Sequence, residues 1–213
     1  DFDGDGKTDI AVWRPGAPNT AAFYILQSQT NTVKIEIFGQ TGDNPRVVDD
    51  YDGDGKADVA VYRSGTQSFF YYRGTLSNPG GNITFVPWGI AGDKPAPGDY
   101  DGDRKADFGV IRNEGGLARH FHSRTTQGFV TVQFGLFTDT FAPGDYDGDN
   151  KTDIAMVRTS TPTYEWNILR STNDAAFSTF VLNGFGTTGD LVTQGDYDGD
   201  NKADPAVYRP STQ

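Results

Sequence analysis

The chain has no cysteine, a single methionine and two histidines among its 213 residues. Without cysteine there are no disulfides, no thiolate metal sites and no cysteine nucleophile. No apolar run approaches the roughly 20 residues that a spanning helix needs, so no membrane span is expected. Good helix formers recur nowhere at a 3.6-residue spacing. No basic cluster with interleaved aromatics is present, which excludes a nucleic-acid partner of the usual kind. Glycine, with 27 residues, and aromatic side chains, at 13%, are abundant beside a hydrophobic content of only 35%. That balance predicts an all-β chain of short strands and tight turns. The length allows one domain or two small ones.

The feature that organises the chain is a nine-residue segment, D-x-D-G-D-x-K-x-D, present five times. Its carboxylates are Asp1, Asp3, Asp5 and Asp9; Asp50, Asp52, Asp54 and Asp58; Asp99, Asp101, Asp103 and Asp107; Asp145, Asp147, Asp149 and Asp153; and Asp196, Asp198, Asp200 and Asp204. In a curled backbone alternate side chains face inward, so positions 1, 3 and 5 converge and position 9 closes the shell. Oxygen donors at this density suit a hard cation, and Ca²⁺ takes six to eight of them. Position 7 is always lysine (Lys7, Lys56, Lys105, Lys151 and Lys202), whose side chain cannot bind a cation. It is expected to contribute its backbone carbonyl. Up to five Ca²⁺ ions are therefore expected.

The formal charge of −11 follows from these loops. They take 20 of the 29 carboxylates and six of the 18 Lys and Arg, leaving nine acids against 12 bases, about +3, elsewhere. Five bound Ca²⁺ would add ten positive charges to −11 and leave −1. The acidity is thus ligand inventory and not an acidic interaction face. Position 6 must turn sharply, which favours a residue tolerant of the left-handed region. It is Gly6, Gly55, Arg104, Asn150 and Asn201. Arginine is the poor choice there, and the third loop is expected to be the weakest site.

The loops start at residues 1, 50, 99, 145 and 196, a period near 50 that marks a repeat architecture. A first strand is predicted after each loop, at 10–14, 59–63, 108–112, 154–158 and 205–209. Its second residue is always tiny (Ala11, Ala60, Gly109, Ala155, Ala206), as expected on the innermost strand of a radial array. Second strands are predicted at 22–27, 68–73, 117–122 and 164–169. Third strands are predicted at 32–38, 82–88, 129–134 and 177–182. Each ends near an aromatic-Gly pair (Phe38-Gly39, Trp88-Gly89, Phe134-Gly135, Phe185-Gly186), followed by Asp43, Asp93, Asp139 and Asp190. A short strand containing Pro or Gly then leads into the next loop. Four-stranded antiparallel units in tandem are the blades of a β-propeller, with four complete repeats and partial ends within 1–213.

The aspartate loop, the Phe-Gly turn and the period resemble FG-GAP or VCBS-type repeats, similar to those of integrin α-subunit propellers and certain fungal lectins. The resemblance covers nearly the whole chain. It implies a propeller with Ca²⁺ in its blade loops and a role in adhesion, ligand binding or sugar binding. Those propellers usually have about seven blades, more than this chain supplies. The ring closes with four or five blades, or the chain is a processed piece or fragment of a longer one, or a neighbouring molecule completes it.

Outside the loops, Arg14, Arg63, Arg112, Arg158 and Arg209 recur and are expected to pair with Asp43, Asp93, Asp139 and Asp190. His120 and His122 share a strand face and are expected to pack or lie at the surface, not to bind metal. Tyr24, Phe70, Tyr71, Tyr72, Tyr164 and Trp166 are expected between blades, a few free to stack on sugars. Asn82 and Asn150 lie in glycosylation sequons. Every clustered carboxylate belongs to a loop, so no acid–base pair remains for catalysis. The expectation is a non-enzymatic, Ca²⁺-stabilised module at the cell surface or outside the cell. It would serve adhesion or scaffolding by binding a protein or glycan of the surface or matrix. The alternatives are a carbohydrate-binding lectin, an accessory propeller of a larger secreted hydrolase, and a filament subunit that self-assembles through incomplete terminal blades.

Overall fold

The computed structural model describes residues 1–76, 80–171 and 178–210, and its regular structure is entirely β, with no helix among them. Hence no helix is long and apolar enough to cross a membrane. The chain forms two compact units, one of Asp1–Pro97 with Asp103–Val110 and one of Gly98–Gly102 with the residues from Ile111 onward.

In the first unit, β1 (Ile10–Arg14), β2 (Ala22–Leu26) and β3 (Val33–Ile37) form an antiparallel sheet in that order. A second antiparallel sheet holds β4 (Val59–Arg63), β5 (Phe69–Arg73) and β6 (Thr84–Pro87). Before the second loop, the lead-in segment forms a single bridge with β4, Asn44–Tyr62, among the described residues. Pro45 follows at once and has no amide to extend the ladder. The next lead-in, β7 (Lys94–Pro95), lies beside β8 (Phe108–Glu114), with Ala96 N donating to Gly109 O at 2.8 Å. β8 begins in this unit and ends in the second.

The second unit contains β9 (Leu117–Arg124) and β10 (Gly128–Leu136). It also contains a four-stranded sheet of β11 (Thr140–Phe141), β12 (Ile154–Arg158), β13 (Thr163–Arg170) and β14 (Ser178–Thr187), again in chain order. β15 (Leu191–Val192) and β16 (Val207–Tyr208) close the described chain. The expected strand at 205–209 is shorter because Pro205 cannot donate. The expected third strand at 177–182 falls in β14, apart from Phe177, which lies outside the described residues.

One expectation changes. The strand with the tiny residue is the edge of its sheet in β1 and β4, whereas in the second unit β12 lies between β11 and β13 and the lead-in strand takes the edge. Ala60 and Ala155 are fully buried, whereas Ala11 is exposed. In the first unit, Phe23 and Ile25 of the first sheet join Val59 and Val61 of the second in one core. In the second unit, Ala155, Val157, Tyr164, Trp166 and Ile168 form a core against which Val192 and Val207 of the last pair pack. The alternation along β13, with Tyr164, Trp166 and Ile168 inward, is the period-2 pattern of a strand covered on that face.

Candidate metal centres

Each loop is drawn tight by two devices. First, the backbone at positions 4 and 6 enters the left-handed region. At position 6, φ is +82° for Gly6, +79° for Gly55, 69° for Arg104, 63° for Asn150 and 64° for Asn201. Second, the position-1 carboxylate collects the amides of the turn. Asp50 accepts Gly53 N at 2.7 Å and Gly55 N at 2.8 Å, and Asp145 accepts Gly148 N at 2.6 Å and Asn150 N at 2.8 Å.

Position 9 is carried back beside position 1 by a bridge to the residue that precedes the loop. Asp58 N donates to Asp49 O, Asp153 N to Gly144 O and Asp204 N to Gly195 O, at 2.8, 2.8 and 2.7 Å. The result is three carboxylates with oxygens within 4.8 Å of one another: Asp50, Asp52 and Asp58; Asp145, Asp147 and Asp153; Asp196, Asp198 and Asp204. In the first loop the converging set is Asp1, Asp3 and Asp5. The third loop is divided between the two units. Within its halves Gly102 N donates to Asp99 and Lys105 N to Asp103, at 2.7 and 2.9 Å.

Two expected ligand positions behave differently. Position 5 stands outside the triad in the second, fourth and fifth loops. Its carboxylate takes the position-7 amide, from Lys56 to Asp54 at 2.9 Å and from Lys151 to Asp149 at 3.0 Å, as Asp5 takes that of Lys7 at 2.9 Å within the first-loop triad. The position-7 lysines, named for their carbonyls, have a further role. Their stems lie over position 4 of the preceding loop, where a Cβ on Gly4 would be 2.9 Å from Lys56 Cε and one on Gly148 2.9 Å from Lys202 Cε.

The second loop supplies the test of fit for a cation. Asp58 is 1% exposed, and its Oδ2 accepts Tyr51 N at 3.0 Å while its Oδ1 has no hydrogen-bond partner. A buried carboxylate oxygen without a donor is costly unless a cation meets it. In the first and fourth loops the same oxygen of position 9 is met by an amide, from Ser28 to Asp9 at 2.7 Å and from Ser171 to Asp153 at 2.6 Å. Burial, with Asp52, Asp50 and Asp54 nearby, pushes the Asp58 carboxyl up to about 7. Burial also raises Asp153 to about 6, with Asp147 adding to it. A divalent cation would reverse both effects. The all-oxygen donor set fits Ca²⁺ or another hard ion.

Two supports were missed in the sequence. A hydroxyl from the turn after the second strand reaches position 5: Ser28 to Asp5 at 2.9 Å, Ser171 to Asp149 at 2.8 Å, and Thr75 to Asp54. These residues sit outside any motif, so only the fold brings them in. The other support was legible, since position 2 is aromatic in all five loops. Tyr51 OH donates to Val47 O, Tyr146 OH to Ala142 O and Tyr197 OH to Thr193 O, at 2.6, 2.8 and 2.5 Å, bracing each loop on its lead-in segment.

The recurring arginines pair as expected where both partners share a unit. Arg63 grips Asp43 through Nε and Nη2 at 2.7 and 2.8 Å, and Arg209 grips Asp190 at the same two distances. Arg158 meets Asp139 at 3.4 Å. Each of these aspartates also caps its turn, as when Asp43 accepts Gln40 N at 2.9 Å. Arg14 and Arg112 lie over Tyr24 and Phe121, each 4.6 Å from the ring centroid. Of the expected packing aromatics, Phe70, Tyr164 and Trp166 are buried, and Tyr24, Tyr71 and Tyr72 are half-buried. His120 and His122 are fully buried in β9, His120 Nε2 lying 3.2 Å from Phe134 O and His122 stacking on Tyr100.

Against known families, residues 50–110 match the model of the FG-GAP-like repeat. The span runs from the second loop through β4–β7 and the third loop into β8. No curated protein and no solved structure matches the chain.

Proposed function

We propose that this chain of FG-GAP-type repeats is a Ca²⁺-stabilised β-propeller module of the cell surface or extracellular space, non-enzymatic, which presents its surface to a protein or glycan. The observation that carries the metal reading is the buried, unpartnered Oδ1 of Asp58 within a triad of carboxylates. Packing of each sheet on that of the next repeat supports the propeller reading within each unit. A metal in every loop would tie the lead-in strand, the loop and the first strand together, acting as a structural staple. Low-affinity loops of this kind fill at extracellular Ca²⁺, with dissociation constants on the order of 10⁻⁴–10⁻³ M.

Thermal unfolding in Ca²⁺, in Mg²⁺ and in EDTA tests the metal. A loop held at a hundredfold excess of Ca²⁺ over its dissociation constant contributes about 2.7 kcal/mol, so chelation should lower Tm steeply and Mg²⁺ should restore little of it. An unchanged Tm in EDTA overturns the metal reading. Electron microscopy of the particle counts its blades, and an open, non-radial array of sheets would overturn the propeller.

A further inference from the structure

We infer that the groove lined by Arg124 and Arg170 in the second unit binds a small carboxylate-bearing sugar of the uronic-acid class; this rests on the proposed glycan-binding role and names its ligand. The groove has a volume of about 350 Å³, at the small end of the ~300–1,000 Å³ typical of small-molecule sites. Val132, Ile154 and Leu169 give it apolar walls, and Gln127 and Thr152 give it polar ones. Among the described residues no aspartate or glutamate lines it, although the chain carries a charge of −11.

Arg124 is the central observation. Its Nη1 donates to Gln127 Oε1 at 2.6 Å, while its Nε is buried and has no hydrogen-bond partner. Among the described residues no carboxylate pairs with it. Elsewhere the protein shows what this edge of an arginine takes: Arg63 and Arg209 each turn Nε and Nη2 onto the two oxygens of an aspartate. Planar two-point recognition of a carboxylate is the strongest contact such an edge makes. A desolvated guanidinium nitrogen with no acceptor carries a cost that an incoming carboxylate would remove.

A second groove provides the contrast. In the first unit, about 340 Å³ are lined in part by Arg63 and Arg73. There Arg63 is already bound to Asp43 and Arg73 to Glu36 at 2.8 Å, so both guanidiniums are charge-paired, although Arg73 Nε, like Arg124 Nε, has no hydrogen-bond partner. At similar volume, the carboxylates bound to Arg63 and Arg73, and none among the described residues on Arg124, single out the Arg124 groove. A pyranose ring suits its walls, with C–H faces against Leu169 and Ile154 and hydroxyls toward Gln127 and Thr152.

The experiment titrates the Ca²⁺-loaded protein with glucuronate, galacturonate, glucose, the methyl ester of glucuronic acid and inorganic phosphate. Calorimetry and methyl signals of Val132, Ile154 and Leu169 are read. A uronate should shift these signals and saturate, with glucose and the ester about tenfold weaker or more, since each lacks the charge-assisted pair. Arg124→Lys, which keeps the charge and loses the fork, should weaken uronate binding about tenfold while leaving the Ca²⁺-dependent Tm unchanged. The inference falls if uronates leave the groove signals unmoved, if the ester binds equally, or if Arg124→Lys binds as well as the parent. Phosphate binding as tightly as a uronate would make this a general anion groove and overturn the sugar assignment. The ester comparison needs no variant, and a retained response to EDTA separates failure of this inference from failure of the metal reading.

Discussion

The amide of Ala57 donates to the main-chain carbonyl of Asp1 at 2.6 Å, so that the second loop hangs on the first ligand residue of the loop before it. The same bond recurs from Ala106 to Asp50, Thr152 to Asp99 and Ala203 to Asp145, at 2.7, 2.6 and 2.6 Å. In each case the donor lies between positions 7 and 9, and the acceptor residue is position 1. A metal that orders position 1 of one loop thereby orders the ligand turn of the next. Asp50→Asn should therefore weaken Ca²⁺ binding at the third loop as well as the second. Calorimetric titration checks this, and loss of one site with every other affinity unchanged would refute the coupling.

The lysine over glycine is the second half of this junction. Gly53 has φ +80°, and a Cβ there would be 2.9 Å from Lys105 Cε. Gly53→Ala should cost about 1–2 kcal/mol from the left-handed backbone alone, with a steric addition. In urea denaturation, Lys105→Ala in the same chain should recover the steric part but not the backbone part. Full additivity of the two changes would show that the stem does not rest on the glycine.

Arg104 holds φ at 69° where two other loops have glycine and two have asparagine. Relief of that conformation by Arg104→Gly should stabilise the third loop by roughly 1 kcal/mol. Calorimetry should then show about fivefold tighter Ca²⁺ binding at one site. Unchanged affinity at that loop would mean that the arginine costs nothing there.

The buried histidines set an acid limb. Burial lowers His120 from 6.5 to about 4, and burial, with His120 and Arg124 nearby, holds His122 well below its ordinary range. Because the folded-state values are depressed, the unfolded chain binds more protons between about pH 4 and 6.5. The stability is present above pH 6.5 and is lost as pH falls through 4, with His120 contributing about 3 kcal/mol. β9 and β13 are both eight residues long and both bury their second, fourth and sixth residues, so His120 and His122 correspond to Trp166 and Ile168. The double variant His120→Trp, His122→Ile should flatten the fall in denaturant midpoint between pH 6.5 and 4 in excess Ca²⁺. An equally steep fall would assign the acid limb to the loops instead.

The sequence by itself determined the repeat, its phase and the strands that follow each loop. These depend on local chemistry repeated five times: aspartates at fixed spacing, glycine at position 4, a tolerant residue at position 6 and alternating apolar side chains. It also determined the pairing of Arg63 with Asp43, because both partners recur at constant offsets. Tertiary structure alone decided which carboxylates converge. The bridge from Asp58 to Asp49 brings position 9 beside positions 1 and 3, whereas in the first loop the converging set is positions 1, 3 and 5. It alone recruited Ser28, Thr75 and Ser171, placed Lys56 over Gly4 and put β11 at the edge of its sheet. It also gave a carboxylate to Arg63 and Arg209 and, among the described residues, none to Arg124. Such contacts join residues from different strands or different repeats. Their distances follow from how the backbones pack, and no spacing along the chain encodes them.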